Sequence, residues 1–191
     1  MMPLVNSSLV LATSLAVALS GCMGSALTVP EYASALEGAT DVYIAESQAL
    51  SGTFHRTVED EVARIVREGA DDALSEATDI TKREMVLYLV LLEDAMSRYV
   101  EHLSEIPPPG GVEEEHVDYL DAVKSVRGAM PATRSSVDSA SHLDGIEDAI
   151  AGSGFQDGQL RLTTACQSLE ESVRAEGTGV DLGCTRSATN S

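Results

Sequence analysis

Two histidines and a group of glutamates flank a proline- and glycine-rich stretch in the middle of the chain. His102 lies shortly before that stretch, and His116 lies shortly after it, three residues beyond Glu113. A Glu-x-x-His pair projects both side chains from one helix face, and helical bundles that hold two metal ions need two such pairs. Only one pair is present. The favoured interpretation is a solvated acidic helix start with two half-exposed histidines. The alternative is a weak divalent-metal site formed by His102, Glu113 and His116.

The N-terminal region carries a motif for covalent chemistry at Cys22. Residues 9–19 form an apolar run of secretion-signal length, too short to span a bilayer comfortably. The run leads into Leu-Ser-Gly-Cys at 19–22, which resembles the lipobox of bacterial lipoproteins, in which the cysteine receives a diacylglyceryl group. One departure is that the segment before the run has no Lys or Arg. An uncleaved anchor, or ordinary cleavage near Ala26, is the alternative.

Two further cysteines remain once Cys22 is assigned to lipidation. In a protein located outside the cytoplasm, an even number of remaining cysteines predicts a disulfide, here between Cys166 and Cys184. A metal site would need further Cys or His nearby, and none of the four histidines lies beyond His142. A metal site and two free thiols remain the alternatives to the disulfide.

The five tyrosines fall at or near inward positions of the helical pattern. We interpret them as core residues whose hydroxyls reach the rim of the core. A ligand cage is the alternative interpretation. The tyrosines are Tyr32, Tyr43, Tyr88, Tyr99 and Tyr119.

The elements that must position these side chains are helices. The spacing of apolar residues predicts an all-α protein, an antiparallel bundle of about four main helices with one or two short ones. A capping pattern at Thr28 to Glu31 starts the first helix, and residues 51–53 (Ser-Gly-Thr) end it. A second helix is expected over 58–77, with Val66 and Leu74 facing inward.

Four further helices complete the predicted pattern. A capping box at 81–84 starts a buried central helix, which ends at the prolines 107–109. The next begins at Glu113, buries Val117 and ends before Pro131. A short helix capped at 141–144 follows, and a last helix ends at Gly177.

Charge excludes several function classes. The 12 basic residues face 31 acidic ones, a formal net charge of −19, and Glu31 is the first charged residue. A protein this acidic has no basic patch with which to bind nucleic acid, nor to dock electrostatically on anionic lipid. No phosphate-binding loop or nucleophile motif is present, so catalysis is not predicted. An enzyme with an unrecognised site in the bundle core is kept as an alternative.

The layout as a whole is similar to that of uncharacterised bacterial lipoproteins. Its marks are the lipobox at 19–22, a helical ectodomain, Ile-Pro-Pro-Pro at 106–109 followed by His116, and Ala-Cys-Gln-Ser-Leu at 165–169 leading to Val-Asp-Leu-Gly-Cys at 180–184. The resemblance implies a lipid-anchored envelope protein and brings no established activity.

From these observations we expect a signal peptide at 1–21, an anchor and tether at 22–27, a helical domain at 28–184 and a disordered tail at 185–191. The expected function is that of a binding or interaction module on the extracytoplasmic side of the cell membrane. Its partners would be the membrane, through the lipid on Cys22, and an envelope protein. No cofactor other than that lipid is expected, with weak metal binding at the histidine hairpin as the alternative.

Overall fold

The computed structural model describes residues 27–69 and 71–184, and this part of the chain is entirely α-helical apart from its connections. Its helices are α1 Val29–Glu68, α2 Ala73–Glu105, α3 Glu113–Ser139, α4 Leu143–Gly152 and α5 Phe155–Ala175. Four are long and one is short, which confirms the predicted helical bundle. The expected signal peptide, the lipidation site Cys22 and the tail at 185–191 lie outside the described residues.

Successive long helices run antiparallel. Arg64 near the end of α1 binds Glu76 near the start of α2 at 3.2 Å. Helix α3 returns along α2, and α5 returns along α3, so the main packed pairs are α1–α2, α2–α3 and α3–α5. The start of α1, the end of α2, the start of α3 and the end of α5 therefore meet at one end of the molecule. We call this the loop end, because residues 106–112 connect α2 to α3 there.

Helix α1 begins as predicted but does not end where predicted. A capping box at Thr28 and Glu31 opens it. The expected break at 51–53 is absent, and α1 continues for 40 residues to Glu68. One glycine costs a helix only about 1 kcal/mol. Packing offsets that cost: the ring of Phe54, directly after the predicted break, lies 5.6 Å from that of Tyr88 in α2.

The chain reverses at Gly69, inside the stretch predicted as a second helix. Gly69 adopts the left-handed conformation (φ 65°), and its N–H donates to the carbonyl of Ile65, which ends α1. Helix α2 then starts at Ala73 rather than at the predicted capping box. Thr81 lies inside α2, and its hydroxyl donates to the Ala77 carbonyl at 2.8 Å instead of capping a helix start.

Pro131 does not end α3, contrary to prediction. The helix passes through Pro131 and continues to Ser139. The added turns bury Thr133 and Val137 completely, and Val137 packs in a small cluster with Leu89 of α2 and Ile146 of α4. This burial outweighs the one backbone hydrogen bond that a proline removes.

The main core lies between the four long helices, towards the loop end. Several of its side chains are fully buried, among them Tyr32, Leu36, Met96, Leu103, Val123 and Leu169. Three residues that the apolar pattern placed inward are exposed instead: Val66 (69%), Leu74 (73%) and Val117 (51%). No helix in the described ranges combines the length and apolar character needed to cross a membrane.

Candidate functional site

In the part of the chain that the structure describes, the fourth side of the bundle, between α1 and α5, is not closed by direct packing of one long helix on the next, as the other three sides are. Among the described residues α1 and α5 do not form a packed helix pair. Both instead contribute side chains to a groove whose other walls come from α2 and α3. We call this space the α1–α5 groove. Residues along it include Thr40, Tyr43, Tyr99, Tyr119, Leu162 and Cys184.

A strap formed by residues 177–184 closes the groove at the loop end. Gly177 has a positive φ (89°), which lets the chain leave α5 and turn back. Val180 and Leu182 then insert into the main core. The backbone N–H of Asp181 donates to Glu37 of α1 at 3.0 Å, and that of Leu182 donates to Glu170 of α5 at 2.8 Å. The strap thus joins the two helices that do not pack on each other.

The predicted cysteine pair holds the strap in place. The sulfur atoms of Cys166 in α5 and Cys184 at the end of the strap lie 2.08 Å apart, the distance of a disulfide. Both residues are buried. Closing a loop of 18 residues stabilises the fold by about 3 kcal/mol in the chain-entropy model.

Three hydroxyl groups meet inside the bundle beside the groove. The Tyr99 hydroxyl lies 2.8 Å from Oγ1 of Thr40 and 2.7 Å from the Tyr119 hydroxyl. We call Thr40, Tyr99 and Tyr119 the hydroxyl triad; each is at most 4% exposed. Burial raises the pKa of both phenols, so they remain protonated and can act as donors and acceptors at neutral pH.

Tyr43 lies beside the triad in the same groove. Its ring stacks on that of Tyr99 with centroids 4.8 Å apart and planes within 9°. Desolvation also raises the pKa of the Tyr43 phenol. Tyr43 is half-buried, unlike Tyr99, so one part of its ring borders the open groove. The prediction that the tyrosines are core residues holds for Tyr32, Tyr99 and Tyr119, which are buried, while Tyr43 and Tyr88 are half-buried. The prediction that their hydroxyls reach the rim is wrong for the three buried tyrosines, whose hydroxyls form hydrogen bonds inside the core.

The three residues of the predicted metal site occupy different environments. His102 and Glu113 are exposed, whereas His116 is 4% exposed and faces the core, so neither histidine is half-exposed as expected. The Nδ1 atom of His116 lies 2.8 Å from the Tyr32 hydroxyl. Burial lowers the pKa of His116, the backbone of Leu103 opposes that shift, and Lys124 adds to it. The buried His116 ring therefore favours its neutral form, and its Nδ1 atom is already hydrogen-bonded to the Tyr32 hydroxyl.

These three residues do not form a group of converging ligand atoms. Among the described residues, the only such group of three or more is Cys166, Glu170 and Cys184. Its two sulfur atoms are joined to each other, and its carboxylate accepts the Leu182 N–H. A disulfide sulfur is not the thiolate that binds a metal. Metal binding at His102, Glu113 and His116 stays a prediction without support from the arrangement of the side chains.

The sequence patterns did not reveal the groove or the triad. Thr40, Tyr99 and Tyr119 are separated by 59 and 20 residues, and no local motif connects them. The only available signal was the inward position of the tyrosines, which is also what an ordinary core would produce. Comparison of this chain with protein-family models, with curated proteins and with solved structures finds no match.

Proposed function

We propose that this protein is a lipid-anchored binding module on the extracytoplasmic side of the cell envelope. The observation that carries the proposal is the lipobox-like Leu-Ser-Gly-Cys at 19–22, directly after an apolar run of signal length. The cysteine pair supports it, since stable disulfides are found mainly outside the cytoplasm. The helical domain begins at Val29, a few residues after Cys22.

The position of Val29, the first residue of α1, determines which end of the bundle a lipid on Cys22 would attach to the membrane. Helix α1 starts at the loop end, so a lipid on Cys22 would attach the loop end to the membrane. The 40 residues of α1 span about 60 Å. The hairpin between α1 and α2, at Gly69, would then be the part of the protein furthest from the lipid.

Charge supports attachment by lipid and not by electrostatics. Between Arg98 and Lys124, around the α2–α3 connection, every Asp, Glu, Lys or Arg residue is acidic: Glu101, Glu105, Glu113, Glu114, Glu115, Asp118 and Asp121. Anionic headgroups would repel this end of the bundle. The two acyl chains of a diacylglyceryl group would supply the insertion energy that the protein surface lacks.

Membrane fractionation in a bacterial host tests the anchor. We expect the wild-type chain in the membrane fraction, with mass spectrometry identifying a processed N-terminus that starts at a lipid-modified Cys22. The Cys22→Ala variant should lose the modification and leave that fraction. Cys166→Ala is the matched control, because it removes a cysteine without touching the lipobox, and it should remain in the membrane. An unmodified, freely soluble wild type would overturn the proposal.

A further inference from the structure

The α1–α5 groove is unlike the rest of this protein in its charge. None of its fourteen lining residues carries a charged side chain. The whole chain, in contrast, has a net charge of −19. A carboxylate or phosphate ligand would gain no counter-charge in this groove. An ammonium group entering it would be desolvated without a carboxylate partner, which is costly. The lining therefore selects for an uncharged ligand.

The hydroxyl triad gives the groove a preference for hydrogen-bond donors. Each hydroxyl has one proton and two acceptor lone pairs, so three hydroxyls offer three donors and six acceptor sites. The two hydrogen bonds within the triad use two of these protons and two acceptor sites, so one donor and four acceptor sites are left. A ligand hydroxyl can both donate to these acceptors and accept from the remaining proton, whereas an ether can only accept and a hydrocarbon can do neither.

The other walls suit an apolar body. The groove is bordered by the half-buried ring of Tyr43, by Met96 and Val123 from the floor, and by Leu162 of α5. The cavity in the groove measures about 70 Å³. This is about half the roughly 150 Å³ of an apolar cavity that binds benzene. The cavity therefore admits the hydroxyl end of a small ligand, and a ring would extend into the open side of the groove.

We propose that the α1–α5 groove is a binding site for a small, uncharged, hydroxyl-bearing amphiphile of the phenol type. The ligand hydroxyl donates a hydrogen bond to the hydroxyl triad, and its ring lies between Tyr43 and Leu162. The strap forms the end wall of the site through Leu182 and Cys184. This inference extends the proposed binding function to a ligand class, but it does not depend on the lipid anchor.

Titration with four probes of similar size tests the proposal. Phenol, anisole, benzoate and benzylammonium are added to the full-length protein in non-ionic detergent, with ring-labelled tyrosines observed by NMR and detergent alone as the blank. We expect phenol to shift the Tyr43 and Tyr99 signals with a dissociation constant that is roughly millimolar. Anisole, which lacks the donor, should bind about tenfold more weakly. The two ions should leave both signals in place.

A pair of tryptophan variants on α5 locates the binding. Leu162→Trp fills the groove and should abolish the phenol-induced shifts. Leu160→Trp is the matched control, because Leu160 is 69% exposed on the same helix, and it should bind phenol as the wild type does. Circular dichroism establishes that both variants are folded. If Leu162→Trp does not fold, the comparison of phenol with anisole on the wild-type protein still decides the question.

Three results would overturn the inference: no shift with phenol, equal affinities for phenol and anisole, or unchanged phenol binding in folded Leu162→Trp. None of these results bears on membrane attachment, which is read from fractionation and from the mass of the N-terminus. Conversely, a protein that carries no lipid could still bind phenol in the groove. The two proposals therefore fail separately.

Discussion

The Tyr32 hydroxyl and Nδ1 of His116 lie 2.8 Å apart in the core, although 84 residues separate them in the sequence. This contact fastens the first turn of α1 to the first turn of α3 at the loop end. Since the backbone of Leu103 supplies an acceptor to the same ring, the arrangement fits the neutral tautomer whose Nδ1 accepts the tyrosine proton. Protonation would turn that acceptor into a donor.

Acidification should therefore weaken the fold through His116. Burial lowers the pKa of His116 in the folded protein, so the unfolded chain binds this proton more readily. The stabilising contribution of His116 is complete above the pKa of an unfolded histidine, about 6.5, and is lost as the pH falls through the folded pKa. Urea unfolding at pH 7.5 and pH 5.5 should show a larger loss of stability for the wild type than for His116→Gln.

The exposed His102 provides the control for this experiment. His102→Gln should keep the pH dependence of the wild type, because its ring is not held in the core. All other ionisable groups are common to the three proteins, so their contribution cancels in the comparison. Equal pH dependence in the wild type and His116→Gln would refute the assignment of this effect to His116.

Removing the disulfide should release the strap without unfolding the bundle. The double variant Cys166→Ser/Cys184→Ser should lose about 3 kcal/mol of stability. The amide hydrogens of Asp181 and Leu182, which donate to carboxylates on α1 and α5, should exchange faster. Denaturant unfolding and hydrogen exchange measure these effects. Reductant should reproduce them in the wild type and do nothing to the double variant, and a wild type unaffected by full reduction would contradict the prediction.

The central hydroxyl of the triad should contribute measurably to stability. Tyr99→Phe removes both hydrogen bonds of that hydroxyl, so the buried hydroxyl oxygen atoms of Thr40 and Tyr119 each lose a hydrogen-bond partner. The free energy of unfolding should fall by about 1–3 kcal/mol. Tyr88→Phe is a matched control, since the Tyr88 hydroxyl forms no hydrogen bond among the described residues, and it should change stability little. Thermal melts of both variants provide the measurement; equal melting temperatures would count against the triad.

Gly52 inside α1 and Gly69 at its C-terminal cap should respond in opposite directions to the same substitution. Gly52 lies inside the helix with no heavy atom within 4 Å of an added Cβ, so Gly52→Ala should stabilise the protein by about 1 kcal/mol. Gly69 has a φ of 65°, so Gly69→Ala should destabilise it by about 1 kcal/mol or more. Urea denaturation of the two variants gives the comparison. Stabilisation by both would mean that the helix does not end at Gly69.

Local chemistry in the sequence was sufficient for several structural features. The capping residues Thr28 and Glu31 marked the start of α1, and Gly177 marked the exit from α5, because each acts within one helical turn. The short helix α4 begins at Leu143, within the capping stretch expected at 141–144, and Nδ1 of its N-cap residue His142 accepts the Gly145 N–H at 2.9 Å. The helical class followed from the spacing of apolar residues.

Tertiary packing decided what local signals could not. Whether Gly52 or Pro131 interrupts a helix depends on the burial that continuation gains, and that burial comes from residues on other helices. The contact of Phe54 with Tyr88 and the complete burial of Val137 are such gains. Propensities of about 1–3 kcal/mol for glycine and proline are small enough for this packing to override them.

The candidate site is likewise a product of tertiary packing. The amino-acid sequence alone predicts an acidic, helical chain with a lipobox-like motif and a pair of cysteines able to form a bridge. Only the folded arrangement brought Thr40, Tyr99 and Tyr119 together and left α1 and α5 apart, with a strap across one end of the opening. Such a site is built from side chains on four helices and the strap, and its geometry depends on how those helices pack and not on spacing along the chain.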